Sequence, residues 1–418
     1  MRQPPPRPLR ERDGERVLPI LRPLVPLLIG MIGAVFFHDL IKWNNPLLVI
    51  VLLISFATSA LTYFKSAQAQ AYRTIFVIST SMVFAFTGAI NCLHSIEKAQ
   101  QKYGDRWQSS VYLDNAFDTE TARNIQQRIH LWLLKKGMTG QEGAVFEAMT
   151  IGRKTDLTRD TKEAFAHSGV SHILALSGYH VSMVCIFLQV LLLSRIVGYR
   201  ARRISHTLLL LCLWAYAFIT GMSPSLVRAV IMSTLLIAAQ LHSRQMLSLN
   251  ALALSAFIIL LLSPLSLLHV GFQMSYLSMI GIYFLGIPLG NIYHPFTLID
   301  KYLWQTITIT LSCTLFTLPI VCHTFGRMAT LGIFANITVS LLTLLLFSLI
   351  PLWALTLFTP PICMAILHTS HLILQNVRYI SSLPHSSLAI SFTLPGMILY
   401  YSLLAAAIIV LRRIIIIR

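Results

Sequence analysis

Residues 167–189 bring hydroxyl and imidazole side chains into an otherwise apolar segment, which reads HSGVSHILALSGYHVSMVCIFLQ. On a helix, Ser177 and His180 are three residues apart and can meet on one face as a nucleophile and its base. That chemistry also needs a carboxylate to orient the imidazole, and the sequence offers none nearby. We therefore expect the chain not to be an enzyme, and keep the serine–histidine enzyme only as an alternative.

The two histidines of this segment have a second possible use as metal ligands. His172 and His180 are eight residues apart, which places them about 80° apart around a helix and disfavours one shared metal. Each imidazole in hydrocarbon still needs a hydrogen-bond partner or water. The helix also presents a narrow face of small residues, typical of a close helix–helix contact. That face consists of Ser171, Ala175, Gly178, Ser182, Cys185 and Gln189.

Residues 221–232, GMSPSLVRAVIM, place an arginine just inside the start of an apolar helix. Ser223 is typical of an N-cap and Pro224 of the first helical position, so the helix is predicted to begin there. Arg228 then lies about one turn inside. Snorkelling to the interface explains such an arginine. The alternative is an anion site, because the unpaired N–H groups of a helix start also favour negative charge.

Residues 269–286, HVGFQMSYLSMIGIYFLG, form a third polar entry into an apolar run. Gln273 follows Gly271 and Phe272 and brings polarity into the first turn. By itself this segment is also typical of a glycine-rich packing helix. The distribution of positive charge places the starts of all three segments on the outer face, which predicts a cavity lined by all three.

The elements that hold these segments are predicted to be membrane helices. The chain has 418 residues, of which 56% are hydrophobic and 11% are charged, with a mean hydropathy of +0.71. Apolar runs of about 20 residues, enough to cross about 30 Å of hydrocarbon, recur along it. About eleven are present, and 362–382 is a possible twelfth. The predicted fold class is an all-α, polytopic integral membrane protein.

The chain divides into three predicted parts. Residues 1–91 form a basic cytoplasmic tail with three membrane helices, residues 92–142 a short extramembrane segment on the outer side, and residues 143–418 the main membrane domain. Residues 120–136 are expected to form an amphipathic helix. Residues 143–167 are expected to lie along the outer membrane surface or dip partly into it. The carboxyl terminus is cytoplasmic if 362–382 crosses the membrane, and outside if that segment lies on the surface.

The charges exclude several functions. Lys and Arg outnumber acids by 17, and short cytoplasmic loops of membrane proteins account for most of such an excess. Fourteen of the 15 acids lie at or before Glu163, and the last is Asp300. Proton relays, cation pores and carboxylate-assisted metal catalysis therefore lack their usual residues. The six cysteines form no C-x-x-C pair, and we expect neither a metal nor a cofactor. The remaining polar groups suit an anion.

Several of these motifs resemble one family, in the family's order. SHILALSGYHVSMV is similar to the membrane signature of ComEC-type competence proteins, the inner-membrane channel family for incoming single-stranded DNA, whose pattern is roughly SHLLAISGLHVGLV. IGRKTDLTRDTKEAFAHSGV, GMSPSLVRAVIM and PLSLLHVGFQMSYLSMIGI also resemble that family's segments, and the resemblance covers about 143 to 350. The matching positions are His172, Ser177, Gly178, His180, Ser223, Pro224, Arg228, Gly271, Phe272 and Gln273.

The chain departs from the family's pattern in four ways. Tyr179 replaces a leucine, and Ser182 replaces a glycine. Long members of the family carry an OB-type domain in the first extramembrane loop, which is short here, and a metallo-β-lactamase-like domain with an H-x-H-x-D signature, which this sequence lacks. Its nearest histidine pair, His368 and His371, is expected to be amphipathic surface. Nuclease or DNA-binding functions are therefore expected from separate proteins.

The resemblance implies a channel for single-stranded DNA in the bacterial cytoplasmic (inner) membrane during natural transformation. Phosphate contacts carry affinity without reading sequence, and those expected are Arg153, Lys154, Arg159 and Arg228. Tyr179, Phe272 and Tyr276 offer stacking surfaces for bases, or are packing residues. No ATP-binding G-x-x-x-x-G-K-[ST] motif occurs, so a separate cytoplasmic motor is expected. Besides DNA, the expected partner is membrane lipid, and the oligomeric state is left open. The alternative function is transport of a small or lipid-linked phosphate-type anion.

Overall fold

A computed structural model of the protein describes residues 24–35, 46–63, 70–103, 120–192, 199–241, 248–293 and 295–417. The basic tail before residue 24 and the loop around residue 65 lie outside this part. Apolar helices dominate the described residues, and the all-α membrane fold predicted from composition is confirmed. Four helices are long and apolar enough to span a membrane: Val270–Gly290, Leu298–Phe325, Gly332–Leu355 and Leu394–Leu411. Five more described apolar helices are shorter, with 10–17 residues.

The described chain forms two compact units, the first comprising Met1–Ala116 and Ile231–Phe272. Its helices begin with α1, Leu24–Val35, α2, Pro46–Tyr63, and α3, Gln70–Tyr103. Two glycines allow α1 and α3 to approach closely. A Cβ added at Gly30 would lie 1.8 Å from the carbonyl oxygen of Ala85, and one at Gly88 would lie 2.5 Å from that of Leu27. Small residues at these crossings therefore replace side-chain packing with backbone contact.

The second unit comprises Phe117–Val230 and Gln273–Arg418. Its first helices are α4, Glu120–Lys135, α5, Gly140–Thr150, α6, Arg159–His167, and α7, Ser171–Leu174. Then come α8, Gly178–Leu192, α9, Tyr199–Ile219, and α10, Pro224–Leu241, whose second half belongs to the first unit. The first unit continues with α11, Ser248–Leu262, and the 3-10 helix Pro264–Leu268.

The last helices include the four of spanning length. They are α12, Val270–Gly281, continued by a π-helical turn and by α13, Ile287–Gly290, then α14, Leu298–Phe325, α15, Gly332–Leu355, α16, Pro360–Ser382, and α17, Leu394–Ile417. Two three-residue strands, β1, Arg327–Ala329, and β2, Ser387–Ala389, pair antiparallel. The predicted division at residues 92 and 143 differs from these contact-defined units and stays a prediction.

The core of the second unit forms where α5 and α6 pack against α16, which itself packs against α15. Every residue of α5 from 143 to 150 is buried, so this helix has no face for a membrane surface. The expectation that the 143–167 segment lies on or in the outer membrane surface is therefore wrong for α5. The reason is that α5 is apolar on almost every side, which favours enclosure by protein.

Helix α16 contains residues 362–382, for which the sequence did not decide between crossing the membrane and lying on its surface. It is 23 residues long with one buried face, which contacts α5, α6 and α15. It is not among the helices apolar enough to be a candidate span. His368 lies exposed on it as expected, whereas His371 Nδ1 is 3.0 Å from Oε1 of Glu142. This hydrogen bond lowers the pKa of the Glu142 carboxyl. That acid is 229 positions away, so local sequence could not predict the pair.

Candidate anion-binding site

The segment that carries Ser177 and His180 is two helices, not one. Helix α7 ends at Leu174, Ala175 has extended backbone, and α8 starts at Gly178. The expectation of a continuous helix across 171–189 was therefore wrong. The break leaves backbone groups that must find other partners, and the Ser177 N–H donates to Nδ1 of His180 at 3.2 Å. The imidazole thus caps the start of its own helix.

The Ser177 and His180 side chains do meet. Ser177 Oγ lies 3.0 Å from Nδ1 of His180, an atom that already accepts from the Ser177 N–H. His180 is fully buried, with its ring 5.1 Å from that of Phe347, and Nε2 has no hydrogen-bond partner among the described residues. The one acid after Glu163, Asp300, is bonded to the Tyr293 hydroxyl and the Phe296 N–H. The pair therefore lacks the orienting carboxylate of a hydrolase.

Helix α10 begins where the sequence predicts, at Pro224. A tight turn precedes it, in which Gly221 and Met222 both have positive φ angles, 78° and 49°. Such a conformation strains a non-glycine residue and is often found beside functional sites. The Ser223 carbonyl accepts the first helical N–H groups, from Leu226 and Val227. Its hydroxyl is buried without a partner in the described residues, so the expected side-chain cap is wrong.

Arg228 is buried one turn inside α10, with 5% of its surface exposed. Its guanidinium lies over the Tyr276 ring at 5.8 Å, and it interacts electrostatically with Cys313. A Cβ added at Gly178 would lie 3.4 Å from Nη2 of Arg228. The start of α8 therefore lies close to the guanidinium, at a distance that leaves room for one methyl group but little more.

Contacts join the starts of α8, α10 and α12 around this arginine. Gly178 approaches Arg228, and Ser225 Oγ lies 3.2 Å from Ser275 Oγ. Residues of the three segments thus contact one another within the second unit, and the cavity that they were expected to line stays a prediction. Gly271 and Phe272 belong to the first unit, and their place in a shared path stays a prediction. Gln273 begins the second unit's part of α12, is half-buried, and also stays a prediction.

The site lies level with the middle of two span-length helices. The Tyr179 hydroxyl donates to the Ser340 carbonyl at 3.2 Å, and His180 packs on Phe347. Ser340 and Phe347 lie on opposite sides of the midpoint of α15, each within four residues of it. Cys313, near Arg228, lies close to the midpoint of α14. The starts of α8 and α10 therefore meet beside the middle residues of two long apolar helices, and the expected position near the outer mouth stays a prediction. Broken helices at membrane depth occur where backbone lines a protein-enclosed or watery cavity.

A row of polar side chains continues from this centre. His172 is exposed and interacts with the Asn336 side chain, whose amide nitrogen lies 2.6 Å from Thr310 Oγ1. The Tyr302 hydroxyl lies 3.0 Å from Ser340 Oγ. Sequence reasoning missed these α14 and α15 residues. Their only signal in the sequence is that they are polar residues within apolar runs. Many serines and threonines share that property, so it identifies no particular side chain.

Arg153, an expected phosphate contact, lies instead in an ion-pair network. Its Nη1 donates to Glu147 Oε2 at 3.1 Å and to Asp156 Oδ2, and lies 3.0 Å from His130 Nδ1. Burial alone would lower the pKa of the guanidinium, but the hydrogen bonds and charges of Asp156 and Glu147 raise it. The same contact with Arg153 lowers the pKa of Asp156. Two carboxylates thus already compensate the arginine's charge.

The same network has the composition of a metal site. Ligand atoms of His130, Glu147 and Asp156 lie within 4.8 Å of one another. Arg153 Nη1, however, is within hydrogen-bonding distance of all three, so a guanidinium already holds the position that a cation would take. The arrangement therefore fits a structural ion-pair cluster better than a metal centre.

The other two expected phosphate contacts differ from each other. Arg159 is exposed and its Nε donates to Glu163 Oε1 at 2.8 Å. Lys154 reaches water, yet its pKa lies below the ordinary value, because surrounding protein desolvates the ammonium group and Lys162 adds a like charge. Arg159 is already paired with a carboxylate, whereas a phosphate contact at Lys154 stays a prediction.

Comparison with known proteins follows the same segments. A family model described as "Competence protein" matches residues 149–414, which is more than half of the chain. The chain belongs to the competence protein family. This confirms the resemblance carried by the motifs, and extends it beyond residue 350 to the last helix.

One curated relative in the competence protein family is ComE operon protein 3 of Bacillus subtilis (strain 168). It is 29% identical over 192 residues, which cover 46% of this chain and 24% of the relative. The chain therefore spans about a quarter of the length of that relative. No solved structure matches the chain.

Proposed function

We propose that this competence-family protein conducts a single DNA strand across the bacterial cytoplasmic membrane during natural transformation. The observation that carries the proposal is Arg228, buried beside the starts of α8 and α10 and near the middle of α14. A buried arginine in a membrane helix costs about 2.5–3.5 kcal/mol. Such a cost is typical of residues kept for function, and membership of the competence family indicates DNA as the anion.

The surroundings of Arg228 support an anionic ligand. Its neighbours include an aromatic ring, a thiol and the backbone of Gly178, and none of these three is a carboxylate. Ser223 Oγ and His180 Nε2 are buried at the same two helix starts, each without a hydrogen-bond partner among the described residues. A phosphodiester that enters can accept from such groups and from helix N–H groups. These contacts are to phosphate and not to bases, so DNA of any sequence could pass.

We propose that, within the second unit, the path runs past His172, Ser177, Gly178, His180, Ser223, Pro224, Arg228 and Gln273. Lys154 would contact phosphate before the strand reaches Arg228. The chain itself carries out no covalent chemistry in this proposal, because Ser177 and His180 serve to close a helix break. A separate motor and separate nuclease or DNA-binding proteins would supply energy and strand processing.

The test uses a naturally competent host in which the gene is deleted and restored as wild type or as Arg228→Ala. The measurement is labelled DNA that reaches the cytoplasm, normalised to protein in the membrane fraction. We expect the deletion to abolish entry and Arg228→Ala to reduce it strongly. Arg378→Ala, which removes an exposed arginine of the same unit, is the matched control. Normal DNA entry with Arg228→Ala would contradict the proposal.

The alternative is transport of a small or lipid-linked phosphate-type anion, which the enclosure of Arg228 also fits. The same strains distinguish the two functions. Under this alternative, transformation is unchanged in the deletion, whereas uptake of labelled inorganic phosphate or turnover of a phosphate-linked lipid falls and is restored by the wild-type gene.

A further inference from the structure

The carboxyl-terminal end of α4 presents apolar and basic side chains together on an exposed face. Leu131 is 50% exposed, Trp132 36% and Leu134 39%. Arg128, Leu131 and Lys135 follow at spacings of three and four residues, which places them on one side of the helix. Exposed leucines beside cations are typical of a helix in contact with a membrane surface.

An aromatic cluster continues this surface onto the end of α15. The Trp132 ring lies 5.6 Å from Trp353 and 4.8 Å from Phe358, and the last two are 5.1 Å apart. Lys136 Nζ lies 5.8 Å from the Trp132 ring and 5.9 Å from that of Phe358. Tryptophan beside lysine is the composition found where a membrane protein meets lipid headgroups.

The position of the cluster along α15 places it at headgroup depth. Helix α15 is 24 residues long, which corresponds to about 36 Å, somewhat more than the hydrocarbon thickness. Trp353 lies two residues before its end, at Leu355, and the exposed side chains of Leu355 and Leu357 surround the turn that follows. The lysines of α4 therefore lie where the phosphates of one leaflet would be.

The charges specify the kind of lipid. Arg128, Lys135 and Lys136 lie exposed toward this end of α4, whereas its acid, Glu120, is at the opposite end. We propose that this surface, comprising Arg128, Leu131, Trp132, Leu134, Lys135 and Lys136, docks on anionic phospholipid headgroups and anchors α4 in the interface. Lysines near an anionic membrane surface strengthen such binding by about fivefold each.

The apolar members distinguish a lipid surface from DNA. Nucleic acid would be met by the cations and by ring faces, and would gain little from Leu131, Leu134 or Leu357. A bilayer accepts all of these groups at once, with leucines toward acyl chains and ammonium groups toward phosphates. Lipid docking therefore accounts for the whole surface.

The test places a nitroxide at Leu131→Cys in the full chain, reconstituted in phosphatidylcholine vesicles with or without phosphatidylglycerol. Collision with oxygen reports the lipid phase, and collision with a water-soluble nickel chelate reports water. We expect phosphatidylglycerol to raise the oxygen-to-nickel accessibility ratio. Lys135→Gln with Lys136→Gln should reverse this and lower the docked-to-undocked ratio by about 25-fold. The unsubstituted chain, labelled in parallel, corrects for native cysteines.

Arg159→Gln with Lys162→Gln is the matched control, since it removes two exposed cations from α6 and should leave the label unchanged. The phosphatidylglycerol retained on purification, measured by mass spectrometry, gives a second readout and should fall only in the α4 variant. Equal water accessibility with both lipids would overturn the proposal. So would protection by a single-stranded oligonucleotide that occurs whatever the vesicle composition, which would assign the surface to DNA.

Discussion

Arg153 and Arg228 both follow motifs that mark them as phosphate contacts, yet they lie in opposite electrostatic surroundings. Arg153 donates to Glu147 and Asp156, in a cluster that reaches water. Arg228 lies buried against Tyr276 and Gly178, in the part of the chain that holds one acid in 255 residues. An arginine paired with carboxylates stabilises the fold, whereas we propose that Arg228, buried beside a tyrosine ring and a glycine, receives an anion. The difference is set by what surrounds each side chain.

The largest expected effect is that substitutions of the two arginines change different quantities, DNA entry for Arg228 and unfolding temperature for Arg153. Arg228→Gln should lower DNA entry by about 30-fold or more, the range for removing one member of a buried charge contact. Its unfolding temperature should not fall, because loss of a buried cation also removes its desolvation cost. Arg153→Gln should do the reverse, lowering the unfolding temperature while entry per folded molecule is kept. Equal effects of both variants on entry would contradict the comparison.

The next effect concerns the stability of the Arg153 network. Glu147→Gln leaves Arg153 without its buried partner, and the free energy of unfolding should fall by about 3 kcal/mol. Thermal unfolding of the detergent-solubilised chain measures this. Glu163→Gln is the matched control, because its pair with Arg159 is exposed and should contribute nothing measurable. If the free energy of unfolding fell by the same amount in both variants, burial of the Arg153 network would not be what makes it stabilising.

Crowding at Gly178 should lower DNA entry according to the size of the added side chain. Alanine places a Cβ at 3.4 Å from Arg228 Nη2, an ordinary contact, so Gly178→Ala should keep DNA entry within about twofold. Gly178→Val adds two methyl groups toward the guanidinium and should lower entry about tenfold, as overpacking typically costs 1–3 kcal/mol. Gly33→Val is the control, since a Cβ there meets nothing within 4 Å. Normal DNA entry with Gly178→Val would show that the contact between Gly178 and Arg228 is not part of the proposed path.

The smallest effect is a pH dependence from Asp156. Its pKa is lowered in the folded chain by Arg153, so its contribution to stability is present above the ordinary aspartate pKa of about 3.9 and is lost as pH falls through the folded value. Between pH 5 and 3, wild type should lose about 1–2 °C more in unfolding temperature than Asp156→Asn, since the side chain is 45% exposed and solvent screens the pair. If unfolding temperature fell with pH equally in wild type and Asp156→Asn, the pair with Arg153 would not be the source of this pH dependence.

Composition and hydropathy were sufficient to predict an all-α membrane protein, because apolar length and the absence of acids are summed over many residues. Local patterns also predicted the start of α10 at Pro224 and the meeting of Ser177 with His180, since both depend on neighbours within a few positions. The ordered motifs predicted the family for the same reason. Each of these inferences stays valid even if the interpretation of a single residue is wrong.

Long-range contacts decided the rest. Three features depend on groups brought together by folding: the break between α7 and α8, the approach of Arg228 to Cys313 of α14, and the pairing of Arg153 with Glu147. The carboxylate that meets His371 is 229 positions away, and no spacing rule relates the two. An arginine's role depends on the charges within a few ångströms of it, and those distances exist only in the folded chain.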